Sequence, residues 1–577
     1  MSLSKNLLSR IHLSKGIKSA HRLLQATVIG LLSGLATAVS AHSAETIYLD
    51  YGLLGRAIPV TSLEEFAADG TIDDELAPYL AGLSPATQEQ FRLLLSTSIT
   101  AFGSEVPEEI SHPFVLSQWL HTPIADIVLA SAGLLVETEA HQNGQTALRA
   151  AIILATADSA GLSLINLIRH YPSNGLRLDL PQILALSTAI DTTIANTDHL
   201  VEVTTQRSAE AAAAEPLLDY TALPVLAETL QFSVTQRSLT LYDQQRERHV
   251  PVNLYFPEDL NAVARPMPVM VFSHGYGDSL NNPETIVAAQ ALAGHGFLVA
   301  VPEHIGSNTQ FQDDLAIGLH DESFEVMEFI NRPLDVRFIL DTLETQNNSE
   351  FQGRLQLERV GIAGESFGGY TALITAGATV NVPRLERQCD LEAKFYAETV
   401  NIALLIQCRV LELVDAPEVI QRLTDGSLAD ERIGLVIAFT PLTNLFGAEG
   451  VNDLQIPVVI AGGDYDVATP IVLEQVAAFQ WLKTPEKYFY LLRNRSHTSA
   501  LTRVVLEQFY PNENLTENFD EAETWLFSLS NSLLIAHGKV HLLGDESYRP
   551  YLTSAYVEAN SIEPSRIHLL RSFPNDF

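Results

Sequence analysis

The sequence predicts an α/β fold: a mostly parallel sheet flanked by helices, joined to a separate N-terminal all-α domain and carrying a cap insertion. Three observations carry this. Short apolar runs near 269–273, 297–302, 359–363, 433–439, 456–461 and 487–492 alternate with helical stretches such as 284–293 and 333–343. That alternation is the mark of right-handed crossovers in a parallel sheet. Residues from 45 to about 200 lack it and show helix signals instead. Finally, the apolar run Val360-Gly361-Ile362-Ala363 stops at Gly364-Glu365-Ser366-Phe367-Gly368-Gly369 and passes into the helix-forming Tyr370-Thr371-Ala372-Leu373-Ile374.

The chain of 577 residues is long for one ordinary domain. Its first 41 residues read as an export signal. Lys5, Arg10, Lys15, Lys18 and Arg22 form a basic region, 26–38 is apolar and small, and Val39-Ser40-Ala41 suits cleavage, with Ala41-His42-Ser43 as a second option. The apolar stretch falls short of the roughly 20 residues a membrane span needs; an uncleaved N-terminal anchor is the alternative. An exported protein would work in the periplasm or outside the cell.

In the expected helical domain, 45–205, Ser62-Leu63-Glu64-Glu65 reads as a capping box and Gly70 as a helix stop. Ser84-Pro85 reads as a cap and first-turn proline, followed by Phe91, Leu94 and Leu95 on one face. Residues 147–157 and 162–168 continue in the same style. His112, Trp119 and His121 show no metal spacing and read as packing residues. The low-complexity run 208–216 falls in an expected linker, 206–222, and the α/β domain then occupies 223–577. In it Val250, Val252, Leu254 and Phe256 alternate with His249, Pro251, Asn253 and Tyr255, as in a half-buried strand.

The G-x-S-x-G run between a strand and a helix has the form of the nucleophile elbow of α/β-hydrolases, where a tight turn lifts a serine hydroxyl above the sheet. Ser366 is the candidate nucleophile. Upstream, the strand ending at Ser273 is followed by His274-Gly275-Tyr276-Gly277; such a turn supplies one oxyanion-hole N–H and the residue after the serine supplies the other. Those donors are the amides of Tyr276 and Phe367. Past the 456–461 strand, Gly462-Gly463-Asp464-Tyr465-Asp466 offers two carboxylates. Asp466 is favoured as the acid, and Asp464 is the alternative acid, read as a turn residue bonding its own backbone. Among 17 histidines, His497 alone lies in the loop after the presumed last strand. The order Ser366, Asp466, His497 is that of the α/β-hydrolases. A serine hydroxyl is a weak nucleophile without a base, and the base needs a carboxylate to hold its tautomer.

The strings Phe272-Ser273-His274-Gly275-Tyr276-Gly277, Pro302-Glu303-His304-Ile305-Gly306-Ser307 and the Ser366 elbow resemble the platelet-activating-factor acetylhydrolase-like lipases and the bacterial "predicted dienelactone hydrolases". The chain also looks like a bacterial subgroup, known mainly from cyanobacteria, with an N-terminal helical domain of unknown function. The resemblance implies an α/β-hydrolase fold and ester hydrolysis by Ser366, Asp466 and His497 with Tyr276 and Phe367 as oxyanion donors. It implies a small-molecule or lipid ester as substrate. Two departures stand out. Glu365 replaces the usual histidine before the serine, and the nucleophile is serine where true dienelactone hydrolases use cysteine.

Hydrophobic residues make up 46% of the chain and charged ones 18%, enough for a sizeable core. A net charge of −36 argues against nucleic acid, whose phosphates this field would repel. It also slows approach to anionic membranes, although a peripheral lipid contact stays open. No cofactor or metal is expected. The two cysteines, Cys389 and Cys408, suggest a disulfide in an exported chain. They lie in an insertion, 379–430, that the bare fold does not need; with the apolar Ile402-Ala403-Leu404-Leu405-Ile406 it is expected to form a lid that selects the substrate. After His497, Trp525, Leu526, Leu529, Leu533 and Leu534 recur at helical spacing. An amide hydrolase on the same fold and a non-catalytic binding protein are the rival readings.

Overall fold

A parallel strand covered on both faces must be apolar at nearly every position. β7 (Met267–Ser273) and β11 (Val458–Gly463) are buried throughout. Their alternate residues serve two cores. Val269, Val271, Val458 and Ile460 pack on one face of the sheet; Met270, Phe272, Val459 and Ala461 pack on the other. A computed structural model of the chain describes residues 43–52, 54–97, 112–263, 266–390, 400–503 and 519–573. The expected export signal lies outside them. Among the described residues no helix is long and apolar enough to cross a membrane.

The described residues form two compact units, one from 43–97 with 136–178, the other from 112–135 with 179–573. The first unit corrects the all-α expectation. It holds a four-stranded sheet made of β1 (Thr46–Tyr51), β2 (Leu54–Pro59), β3 (Val136–Thr138) and β4 (Gly175–Asp179), in the order β2-β1-β4-β3. The strands are short and far apart in sequence, so no run of alternation announces them. Gly70 does end the first helix, Val60–Asp69, in the left-handed region with φ 82°. Ser62 does not cap that helix, which starts earlier at Pro59. Ser84 does cap the helix Pro85–Ser96, accepting from the Thr87 N–H, but Leu94 there is exposed while Phe91 and Leu95 turn inward.

The second unit holds a nine-stranded sheet of order β13-β12-β11-β10-β9-β7-β8-β6-β5. The strands are β5 (Val234–Asp243), β6 (Arg248–Pro257), β7, β8 (Leu298–Pro302), β9 (Leu355–Glu365), β10 (Ile433–Phe439), β11, β12 (Lys487–Leu492) and β13 (Ile567–Leu570). β7 through β12 run parallel, and antiparallel pairings add β6 and β5 at one edge and β13 at the other. Helices Glu328–Glu350 and Phe367–Thr375 cover one face; Pro283–Gly294 and Phe519–Leu543 cover the other. This is the α/β-hydrolase architecture.

Residues 206–214 of the expected linker lie in a helix, and 215–219 follow it without regular structure. Leu180–Ala214 runs unbroken through the alanine-rich stretch and belongs to the second unit. Its Ser208 hydroxyl donates to Glu558 at 2.6 Å, tying it to the C-terminal region. Cys389 and Cys408 form the expected disulfide. The described part of the insertion is built into the helical layer, with Leu385, Leu404, Val410 and Leu423 in the core beside the elbow helix.

Candidate active site

β9 delivers Ser366 to the carboxyl edge of the sheet. The residue has φ 54° and ψ −114°, a conformation that costs a non-glycine residue on the order of 1–3 kcal/mol. Packing holds it there. The Ser366 N–H donates to Phe439 O on β10 at 2.9 Å, and Ser366 O accepts from the Tyr370 N–H at 3.1 Å in the helix that follows. The flanking glycines are obligatory for closeness. A Cβ at Gly368 would stand 1.9 Å from the Ser273 carbonyl oxygen, and one at Gly364 would stand 2.2 Å from the Gly368 carbonyl oxygen.

Two strands along, the turn after β11 carries Asp466, and the loop after β12 carries His497. Their side chains meet, with His497 Nδ1 2.9 Å from Asp466 Oδ2. The carboxylate accepts three more hydrogen bonds, from the Ala468 N–H at 2.9 Å, the Thr469 N–H at 2.8 Å and the Thr469 hydroxyl at 2.8 Å. With Nδ1 as the donor in that bond, the neutral imidazole keeps its lone pair on Nε2. Asp464 has another job. It pairs with Arg493 at 2.8 Å and accepts from the Arg495 N–H at 3.2 Å, pinning the histidine loop from below. It does not form the self-bonded turn expected of it.

Glu365 and His497 line one cavity of about 130 Å³, with Glu284 and the rings of Phe272, Phe439 and Phe527. Ser366 thus directly follows a wall residue of the space that His497 faces. The described residues of the 379–430 insertion take no part in this lining, so they form no lid over it; helices Pro283–Gly294 and Phe519–Leu543 enclose it instead. Burial pushes the Glu365 carboxyl up to about 7, with Glu284 and Asp278 adding to the rise. For His497, burial disfavours the imidazolium, but the Asp466 carboxylate outweighs it and Glu365 adds to that, so the pKa lies above the ordinary histidine value.

On the other side of Ser366 runs the loop 274–277. A Cβ at Gly275 would stand 3.6 Å from Ser366 Cβ, so this loop borders the serine directly. The Tyr276 N–H donates to no acceptor among the described residues. Its ring packs edge-on against Phe324, which also meets the ring of Phe367. Burial pushes the Tyr276 phenol up to about 12, so it stays protonated.

A second Ser-His-Asp series lies beneath that loop, and sequence reading did not single it out. Ser273 Oγ is 2.9 Å from His304 Nε2, and His304 Nδ1 is 3.2 Å from Asp335 Oδ2. All three side chains are sealed from solvent. Arg332, one turn before Asp335, was missed as well. The available signal was charge in the wrong place: Glu328, Arg332 and Asp335 share a helix with the buried Val336, Ile339, Leu340 and Leu343.

The sheet order and its flanking helices are those of the α/β-hydrolase fold. Consistent with this, residues 43–179 match a protein family described as an alpha/beta hydrolase of unknown function (DUF1400). The match spans less than half the chain and lies outside the stretch that bears Ser366, Asp466 and His497. No curated protein matches the chain.

Proposed function

We propose that the protein is a serine hydrolase of carboxylic esters, with Ser366 as nucleophile, His497 as base and Asp466 as the acid that orients it. The observation that carries this reading is the 2.9 Å bond between Asp466 and His497 Nδ1, at the sheet edge where Ser366 sits in its strained turn. His497 Nε2 takes the Ser366 hydroxyl proton while Oγ bonds to the ester carbonyl carbon and the carbonyl electron pair moves onto oxygen. The amides of Tyr276 and Phe367 donate to that oxyanion, each worth on the order of 3 kcal/mol. Collapse breaks the ester C–O bond, and the alkoxide leaves with the proton from His497. Water, deprotonated by His497, then adds to the acyl-enzyme and frees the acid and Ser366.

Short-chain or lipid esters are the proposed substrates, from the resemblance of the motifs. The mostly apolar cavity beside His497 suits an aliphatic group, and the net charge of −36 favours neutral or cationic substrates in the encounter. The disulfide fits work in an oxidising compartment after export. Hydrolysis of p-nitrophenyl acetate and labelling by a fluorophosphonate, with the modified peptide mapped, test the reading. Label on Ser366 and inactivity of Ser366→Ala support it. Equal hydrolysis by wild type and Ser366→Ala rules out catalysis at this serine.

A further inference from the structure

The loop proposed to hold the oxyanion is clamped from behind by one buried arginine. Arg332 Nη1 donates to His274 O at 2.7 Å and Nη2 to Gly275 O at 3.2 Å. Its guanidinium carbon also lies 4.2 Å from the centroid of the Phe367 ring. One side chain therefore touches the loop that offers the Tyr276 amide and the residue that offers the second amide.

The peptide joining Gly275 to Tyr276 is planar and trans, so its carbonyl and its N–H point in opposite directions. Holding Gly275 O toward Arg332 turns the Tyr276 N–H the other way. Two further bonds fix the loop. His274 Nε2 accepts from the His304 N–H at 3.0 Å, so its proton sits on Nδ1 and donates to Gly275 O at 2.8 Å. The Gly277 N–H donates to Ser307 O at 2.8 Å. A cation bonded to a carbonyl also polarises that peptide and strengthens its N–H as a donor.

The guanidinium is itself oriented. Ser307 Oγ accepts from Nε at 3.0 Å and from Nη2 at 2.8 Å, and donates to Glu328 at 3.1 Å. Glu328 pairs in turn with Arg248 at 2.7 Å, and Asp335 with Arg246 at 2.8 Å. Breaking a buried, paired charge is expensive, and such networks hold one geometry. Burial pulls the Arg332 pKa down to about 10, which still leaves it charged at neutral pH.

We infer that Arg332 is a positioning residue of the oxyanion hole: it holds the His274 and Gly275 carbonyls back so that the Tyr276 amide faces the carbonyl oxygen of a substrate on Ser366. This rests on the reading of Ser366 as nucleophile. Holding an amide acts on the transition state rather than on substrate binding, so kcat should carry the effect. Lysine keeps the charge but lacks the fork that spans two carbonyls.

The test uses the full chain as wild type, Arg332→Lys and the milder Ser307→Ala, which frees the guanidinium without removing a charge. Each is assayed with p-nitrophenyl acetate, with a trifluoromethyl ketone that adds to the serine as an oxyanion, and with fluorophosphonate labelling. Arg332→Lys should lower kcat by about 10- to 100-fold, with KM changed by less than about 3-fold. Ketone affinity should fall in parallel with kcat, the pH midpoint should stay in place, and Ser307→Ala should show a smaller loss of the same kind. Folded variants that keep kcat and ketone affinity within about 2-fold of wild type overturn the inference and leave the serine hydrolase standing. A shifted pH midpoint, or a KM that moves as much as kcat, overturns it in favour of a general structural role. Wild type that carries no label on Ser366 overturns the nucleophile assignment and this inference together.

Discussion

Two sets of serine, histidine and aspartate occupy neighbouring regions of one sheet, and they behave as opposites. Ser273, His304 and Asp335 lie in series through hydrogen bonds of 2.9 and 3.2 Å, yet all three are sealed inside the protein. Around them stand Arg246, Arg248 and Glu328, and burial holds the His304 pKa well below the usual histidine range. That imidazole stays neutral and meets no substrate. His497 sits at the sheet edge, its pKa raised by Asp466 and Glu365 against the effect of burial, beside a cavity. Residue types and hydrogen bonds therefore do not make a site. What differs is that His497 lines a cavity and that Ser366 is held in a strained conformation at the end of β9.

The largest expected contrast is between the two serines. Ser366→Ala should lower kcat on p-nitrophenyl acetate by about 10⁴-fold or more. Ser273→Ala should keep fluorophosphonate labelling and lose stability by about 1–3 kcal/mol, read as a lower urea midpoint, because His304 loses its partner. Loss of labelling in a folded Ser273→Ala would reverse the assignment of the two sets.

The two aspartates come next. Asp466→Asn should cost on the order of 10³- to 10⁴-fold in kcat, since an amide can hold the wrong imidazole tautomer. Asp464→Asn should mainly weaken the loop anchored by Arg493, with a lower melting temperature and a far smaller loss of kcat. Similar kinetic losses in both would show that the carboxylates share one role.

A smaller effect separates the cavity from the disulfide-bearing insertion. Replacing Cys389 and Cys408 with serine should cost about 3 kcal/mol of stability on the chain-entropy view. Preference among acyl chain lengths should not change, because the described residues of that insertion do not line the cavity. A changed chain-length profile in the folded variant would restore the insertion as a lid.

The smallest is a shift in pH dependence. The base must be neutral, so activity falls as pH drops through the His497 pKa, and the midpoint of kcat/KM should lie above the unperturbed value of about 6.5. Glu365 ionises at about 7 and then favours the imidazolium. Glu365→Gln removes that charge and should move the midpoint down by roughly half a pH unit. A midpoint that stays put or rises would separate Glu365 electrically from His497.

Much of this was legible in the chain because the signals are local. A strand buried on both faces must be apolar throughout, so six strands of the large sheet announce themselves by continuous apolar runs and β6 by alternation, and glycines at 364 and 368 mark a turn with no room for side chains. Edge strand β5 is half-exposed and has no continuous apolar run, and β13, although buried, is only four residues long. β1 to β4 escaped for a related reason: six residues or fewer each, they become a sheet only when 46–59 meets 136–138 and 175–179. Asp466 was favoured over Asp464 from its place after Gly463, whereas the task of Asp464 depends on an arginine 29 residues away.

The order of Ser366, Asp466 and His497, the elbow glycines and the alternation of strand and helix follow from short-range sterics and hydrophobic periodicity, which a linear string records. Folding settled the partners of charge. Whether a buried arginine is a liability or a clamp on the 274–277 loop depends on which carbonyls and carboxylates reach it from distant segments, and Coulomb and hydrogen-bond energies fall off over a few ångströms of space without regard to separation along the chain.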